Sequence, residues 1–185
     1  MKACIYAVAF FYLVMVKEAK YEVVKKQGKV EIRLYSKSVI ARVEGEDNGF
    51  NILFSFISGN NEQKSKVRMT APVISQSIEM TAPVFSDADS IAFVMPEGYT
   101  LETTPVPFDK LVEIVEVPER HVATIQFSGR WSGSIFNKRA KELLEELAKM
   151  KIKPKGSAFS MLYNSPFTPW FMRRNEVAVE VDFTA

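Results

Sequence analysis

Cysteine and histidine occur once each in this chain of 185 residues, as Cys4 and His121. A lone cysteine forms no intrachain disulfide, builds no Cys-rich metal site and leaves no C-x-x-C-H motif for covalent cofactor attachment. The lone histidine has neither a second imidazole nor a carboxylate at ligand spacing, so no protein-built zinc or mononuclear iron site is legible. No serine lies in a nucleophile-elbow sequence. These absences point away from an enzyme. An excess of one charge is missing too. Residues 1–17 hold Lys2 and Lys17 and no acid, which leaves 22 basic and 22 acidic side chains in the rest of the chain. A neutral body lacks the cations that phosphate neutralisation requires, and nucleic acid is not an expected partner.

No apolar run reaches the roughly 20 residues of a membrane span. Residues 3–16 come nearest, an uncharged stretch between two lysines. Three readings of it stay open. It suits the apolar part of a signal peptide or a signal anchor, although no A-x-A cleavage site follows. Alternatively, translation starts at Met15 and the segment is an artefact of the assigned start, or it docks on the body as an extra element. The first reading makes the protein membrane-anchored or exported, and the second makes it cytoplasmic. The body, residues 18–185, is long enough to bury one core as a single domain.

What the chain does have is a repeated pentapeptide. Met69-Thr70-Ala71-Pro72-Val73 recurs as Met80-Thr81-Ala82-Pro83-Val84. Two β-branched segments around a polar turn read as strands, and Pro72 and Pro83 place them at an edge, a bulge or a strand start. That backbone is expected to form a lip or groove wall rather than a central strand. Around it, Tyr21 to Lys26 and Val30 to Tyr35 flank a Gln27-Gly28-Lys29 turn, and Val39 to Val43 is a third strand. Phe50, Leu53, Phe54 and Ile57 follow helical spacing, with Asp47 or Asn48 to cap and Gly59-Asn60 to stop. Ile91 to Met95 is a strand and Leu101 to Phe108 a connector. The pattern then restarts with strands Val112 to Val117 and His121 to Phe127. A helix with Phe136, Ala140, Leu143, Leu144 and Leu147 on one face follows, then strands Phe159 to Tyr163 and Val177 to Phe183. The expected class is α+β, with two helices outside a bent antiparallel sheet or distorted β-barrel built from two halves.

Chemistry concentrates near the end of the chain. Phe167, Trp170 and Phe171 alternate with prolines, and Arg173 and Arg174 follow. Such a rim can stack a flat ligand and meet its carboxylates bidentately. Strand alternation sets Glu176 and Glu180 on the face opposite Val177, Val179 and Val181. In an apolar cleft those acids would attract a cationic ligand. His121, as the only imidazole, is the candidate for iron ligation.

These segments in this order resemble the SOUL / haem-binding protein family. The resemblance rests on Tyr21-Glu22-Val23, Glu31-Ile32-Arg33 with Tyr35, Phe56-Ile57-Ser58-Gly59-Asn60, and Lys66-Val67-Arg68-Met69-Thr70-Ala71-Pro72-Val73. Phe93-Val94-Met95-Pro96, Phe127-Ser128-Gly129 and Arg173-Arg174-Asn175-Glu176-Val177 complete it. It implies two pseudo-symmetric β-α-β halves and non-covalent binding of haem or a related tetrapyrrole in a shallow apolar groove. Carried over, the groove would use Phe50, Leu53, Phe54 and Ile57 of the first helix, with Phe167, Trp170 and Phe171 of the Pro-rich loop. The first helix offers no Lys or Arg between Gly45 and Gln63, and Thr168 stands where the family would place a lysine, which leaves Arg173 and Arg174 for propionates. The fold also resembles the effector-binding domains of multidrug regulators. By that likeness the ligand would be a lipophilic cation held against Glu176 or Glu180. A third alternative is an interaction module tethered to a membrane by residues 3–16.

Overall fold

The computed structural model describes residues 17–45, 48–76, 90–164 and 167–184. The apolar leader and the second Met-Thr-Ala-Pro-Val segment lie outside the described residues. In chain order the elements are β1 (Lys17–Glu18), β2 (Tyr21–Gln27), β3 (Val30–Tyr35), β4 (Ser38–Glu44), α1 (Gly49–Ile57), β5 (Thr70–Gln76) and β6 (Ser90–Val94). They continue as β7 (Glu113–Val117), β8 (Arg120–Phe127), α2 (Gly133–Lys149), β9 (Lys153–Leu162), a 3-10 turn (Trp170–Met172) and β10 (Asn175–Asp182). The strands hydrogen-bond in the order β2-β3-β8-β10-β9-β5-β6-β4-β7, an open path rather than a closed barrel. Every pairing along it is antiparallel, and β1 joins β5 in parallel.

Alternation gives the sheet two buried faces. On one face, Val177, Val179 and Val181 of β10 and Ala123, Ile125 and Phe127 of β8 pack under α2 with Phe136, Leu143 and Leu147. Beside them, Val39, Ala41 and Val43 of β4 and Phe93 of β6 pack under α1 with Leu53, Phe56 and Ile57. The other face carries a smaller cluster of Val122, Phe159, Met161 and Ala178. The core stripe of α1 is rotated from the expected one. Gly49, Leu53, Phe56 and Ile57 face the sheet, while Phe50 and Phe54 point outward with their rings stacked 6.3 Å apart. Gly49 permits the close approach, because a Cβ there would lie 2.6 Å from Ile91 Cγ2. Asn48 is the N-cap, but its Oδ1 accepts from the Asn51 side chain rather than from a helix N–H. In α2, Ser132 caps the first turn through Ile135 N (3.3 Å), and Leu144 lies at the exposed margin of the stripe.

The first Met-Thr-Ala-Pro-Val segment corrects the sequence reading. β5 is interior, hydrogen-bonded to both β6 and β9. Its proline is tolerated at a register shift between Thr70 and Val73, where β1 takes over pairing at Thr70 and Ala71. The expected bulge is therefore real, and the expected edge is not.

Candidate functional site

The Pro-rich loop before β10 is built against the turn that precedes α2. Gly129 has φ of 122°, a backbone shape that only glycine adopts without strain. The turn it makes lets Gly129 N donate to Trp170 O (3.1 Å) and Asn175 Nδ2 donate to Gly129 O (3.0 Å). Arg173 Nε donates to Thr168 O at 2.8 Å, which fixes the guanidinium against the loop. Between turn and loop runs an open groove of about 500 Å³ lined by Arg130, Trp131, Phe167, Thr168, Pro169, Trp170 and Arg173. Trp131 is a fixed wall, stacked 6.2 Å from Phe127 and tilted against Phe136 at 5.6 Å. Trp170 stands edge-on to Phe171. Phe167 is 93% exposed, and Trp170, Phe171 and Met172 are exposed beside it. Thr168 is buried beneath, and its hydroxyl has no partner among the described residues.

Of the expected site residues, Phe167, Trp170 and Arg173 meet in this groove, with Phe171 packed on Trp170. The α1 residues are not among its lining. Leu53 and Ile57 are core, because a helix that packs on a sheet must turn its i, i+4 pair inward. Phe50 and Phe54 form a separate outward patch with Phe50 edge-on to Phe93 at 5.3 Å. His121, the second residue of β8, rests its ring edge-on against Phe183, 5.4 Å away. It too is absent from the groove lining.

Arg174 turns the other way. It belongs to a buried charge cluster on the face opposite the helices. Glu176 is fully buried; its Oε2 accepts from Arg33 Nη1 (2.6 Å) and Tyr163 Oη (3.0 Å). Its Oε1 accepts from Arg33 Nη2 (3.1 Å) and Arg174 Nε (2.9 Å). Arg174 also meets Glu18 of β1 (2.9 Å) and Tyr21 Oη (3.2 Å), and lies 3.9 Å from the Tyr163 ring centroid. Burial opposes the charge on Arg33 and Arg174, yet Glu176 outweighs it and lifts both above the usual arginine range. Burial pushes the hydroxyls of Tyr35 and Tyr163 up as well. Glu180 is met by Arg120 (3.3 Å) and Lys155 (3.0 Å). Both acids expected to await a cationic ligand thus have their charge matched by the protein's own cations. The adjoining cleft between β4–β7 and β8–β9 is lined by Tyr35, Ile40, Pro72, Val122 and Met161 among others. Its volume is only about 30 Å³, room for one water.

Sequence reasoning missed Arg130, Trp131, Arg33 and Tyr163. The signals were present: Arg130-Trp131 directly follows Phe127-Ser128-Gly129, and Arg33 alternates onto one face with Glu31 and Tyr35.

Against known proteins, the family model described as SOUL heme-binding protein matches residues 16–180. The chain belongs to that family. Heme-binding protein 2 of Mus musculus is 28% identical over 184 residues, spanning 88% of this chain and 87% of the mouse protein. Heme-binding protein 2 of Homo sapiens is 29% identical over 173 residues, with 83% and 82% covered. Among solved structures, an uncharacterised conserved protein from Listeria innocua aligns with a TM-score of 0.61 at 10% identity, covering 83% of this chain and 92% of that one. That likeness extends to the fold alone.

Proposed function

We propose that this SOUL-family chain binds haem or a related tetrapyrrole non-covalently, as a binding or carrier protein rather than an enzyme, with the loop groove as the seat. The observation that carries the reading is the groove itself. It is open, about 500 Å³ in volume, walled by Trp131 and Trp170, and has Arg130 and Arg173 but no acid among its lining residues. A planar macrocycle fits such a seat by stacking on the indoles, with its propionates toward the guanidiniums. When bound, haem would add an iron centre to this seat. The lining holds no His, Cys or Met, so the ring and its carboxylates carry the affinity. The Phe50–Phe54 patch on α1 is then a second apolar surface rather than the floor of this groove.

The fold supports a further element of the reading, two pseudo-symmetric β-α-β halves from residue 18 onward. Strand order β3-β8-β10-β9 in one direction mirrors β7-β4-β6-β5 in the other, with α2 following β8 and α1 following β4.

Haemin titrated into the full chain should shift the Soret band saturably at micromolar protein, and metal-free protoporphyrin IX should compete. No saturable shift would overturn the proposal. His121→Ala should leave the bound spectrum unchanged, and a lost or moved Soret band would instead make His121 an axial ligand.

A further inference from the structure

β9 and β1 share one side of β5. β9 pairs with Val73 to Ser75 and ends at Leu162, and β1 takes the next positions, with Lys17 opposite Thr70 and Glu18 opposite Ala71. β9 runs antiparallel to β5 and β1 runs parallel to it, so β9 leaves the sheet in the direction in which β1 points back toward residue 16. The loop before β10 and the attachment point of residues 1–16 therefore lie at one end of the sheet, where Glu18 accepts from Arg174 at 2.9 Å. At that end stands the 3-10 turn Trp170–Met172, none of whose side chains is buried. Phe171 and Met172 are 61% and 62% exposed and are not among the groove lining, so a ligand in the groove does not use them. The turn is held in place: Gly129 N donates to Trp170 O (3.1 Å) and Met172 N donates to Pro169 O (2.9 Å). Three large apolar side chains held in water on a fixed support mark an interaction surface rather than a packing element. The segments that build it, 128–133 and 163–175, contain no Asp or Glu, and Arg130 is exposed between them.

We infer that this turn is a membrane-docking tip, which seats Trp170, Phe171 and Met172 in the interface of an anionic bilayer. The chemistry of the tip selects that partner. An indole settles at headgroup depth, where its ring meets acyl chain and its N–H meets water, while phenyl and thioether groups enter the apolar side. An exposed arginine with no acid in the same segments is drawn to anionic headgroups, and one such cation near the surface adds about fivefold to binding. Residues 3–16 favour the same partner. They are uncharged and apolar, yet too few to cross a hydrocarbon core of about 30 Å as a helix. One short apolar contact holds a bilayer only reversibly, and a second contact at the same end of the molecule makes the attachment stable. A turn already fixed loses little conformational freedom on docking. The inference goes beyond the tetrapyrrole reading and does not rest on it, because the tip needs no ligand in the groove.

The test is binding of the full chain to phosphatidylcholine vesicles with and without phosphatidylserine. It is read by co-sedimentation and by quenching of tryptophan emission with brominated phosphatidylcholine. Trp131 and Trp170 are the two tryptophans of the chain and none lies in residues 1–16, so quenching reports the tip rather than the leader. Wild type should bind and be quenched. Phe171→Ser with Met172→Ser should weaken binding by about tenfold or more, the scale of withdrawing two large apolar side chains from lipid, and should lose the quenching. Melting midpoints should not move, since both side chains are exposed, and Phe171→Leu should bind as wild type does. Arg130→Gln should remove about fivefold of the preference for the serine lipid. Phe108→Ser, which removes a 54% exposed ring from the β6–β7 connection, should change neither readout. Equal binding and quenching in wild type and the double variant overturn the inference. If the double variant then sediments as a smaller species, the tip is instead a contact between copies of this chain. Binding without quenching, the mark of residues 1–16 acting alone, overturns it too, as do no binding at all and an equal loss from Phe108→Ser.

Discussion

Glu176→Gln should be among the most destabilising single-atom changes available in this chain. The carboxylate is fully buried and accepts from Arg33 through both oxygens, from Arg174 and from Tyr163. Arg33 is 2% exposed and cannot turn to water when its partner is neutralised. Glu31 still accepts from its Nε and Nη2, so part of the charge stays compensated. A glutamine amide keeps the volume but sets an N–H donor against guanidinium donors. Removing one partner of a buried pair costs about 3–5 kcal/mol. At about 2–4 °C per kcal/mol for a chain of this size, the midpoint should fall by about 6–20 °C. Glu180→Gln is the internal comparison, because its side chain is 24% exposed and its pairs lie near the surface, where about 0–1 kcal/mol is expected. Thermal and urea denaturation followed by circular dichroism would measure both. The double change Arg33→Met with Glu176→Leu should recover only part of the loss, since apolar packing can replace the buried pair but Arg174 and Tyr163 still lose Glu176 as acceptor. A Glu176→Gln midpoint indistinguishable from wild type would show that the cluster does not carry the energy assigned to it.

Three further outcomes follow from the same structure. Burial raises both Tyr35 and Tyr163, so two of the six tyrosines should ionise later than pH about 10 in an absorbance titration at 295 nm. Because their folded values lie above the unfolded ones, this stability is fully present below that pH and is lost as pH rises, and midpoints unaffected by alkali would contradict it. Gly49→Ala should destabilise by about 1 kcal/mol or more despite alanine's better helix propensity, because the added Cβ meets Ile91 Cγ2 at 2.6 Å; a gain in midpoint would show that Ile91 yields freely. Thr168→Val should stabilise by about 1 kcal/mol, since it removes a buried hydroxyl with no partner among the described residues. A loss of porphyrin affinity without that gain would assign the hydroxyl to the ligand instead.

The sequence exposed the elements and hid the pairings. Val30 to Tyr35 was legible to the residue because alternation and flanking turns act locally, and Gly59 closed α1 as expected with φ of 112°. The rotation of the α1 stripe was not legible. Phe50 and Phe54 are as apolar as Phe56, and the observed stripe brings Gly49 close against Ile91, a tertiary contact that periodicity does not encode. Pro72 was read as favouring a lip or groove wall over a central strand, yet a register shift lets β1 and β9 share one side of β5. At the groove, the aromatic loop could be found by composition. Its partner wall was missed, because Trp131 precedes it by some 40 residues and the Gly129–Trp170 bond that joins turn to loop is a tertiary contact.

The buried cluster bears on how one fold serves different ligands. An acid on the inner face of β10 would seat a cation if the cleft before it stayed open. Here Arg33 and Arg174 reach Glu176 first, and Tyr35 and Met161 close the cleft to about 30 Å³. Arg174 also ties Glu176 to Glu18, so the same contact secures β1 beside β5. The inner face therefore acts as structure, its charge consumed in holding strands together. The ligand seat proposed above lies instead at the rim. Arg173, one residue before Arg174 and held by its bond to Thr168 O, lines a groove with aromatic walls and no acid among its lining residues. Successive arginines thus part ways, Arg174 joining the buried cluster and Arg173 lining the groove. An Arg174→Gln change should accordingly lower the melting midpoint, whereas Arg173→Gln should loosen the loop by removing its bond to Thr168 O.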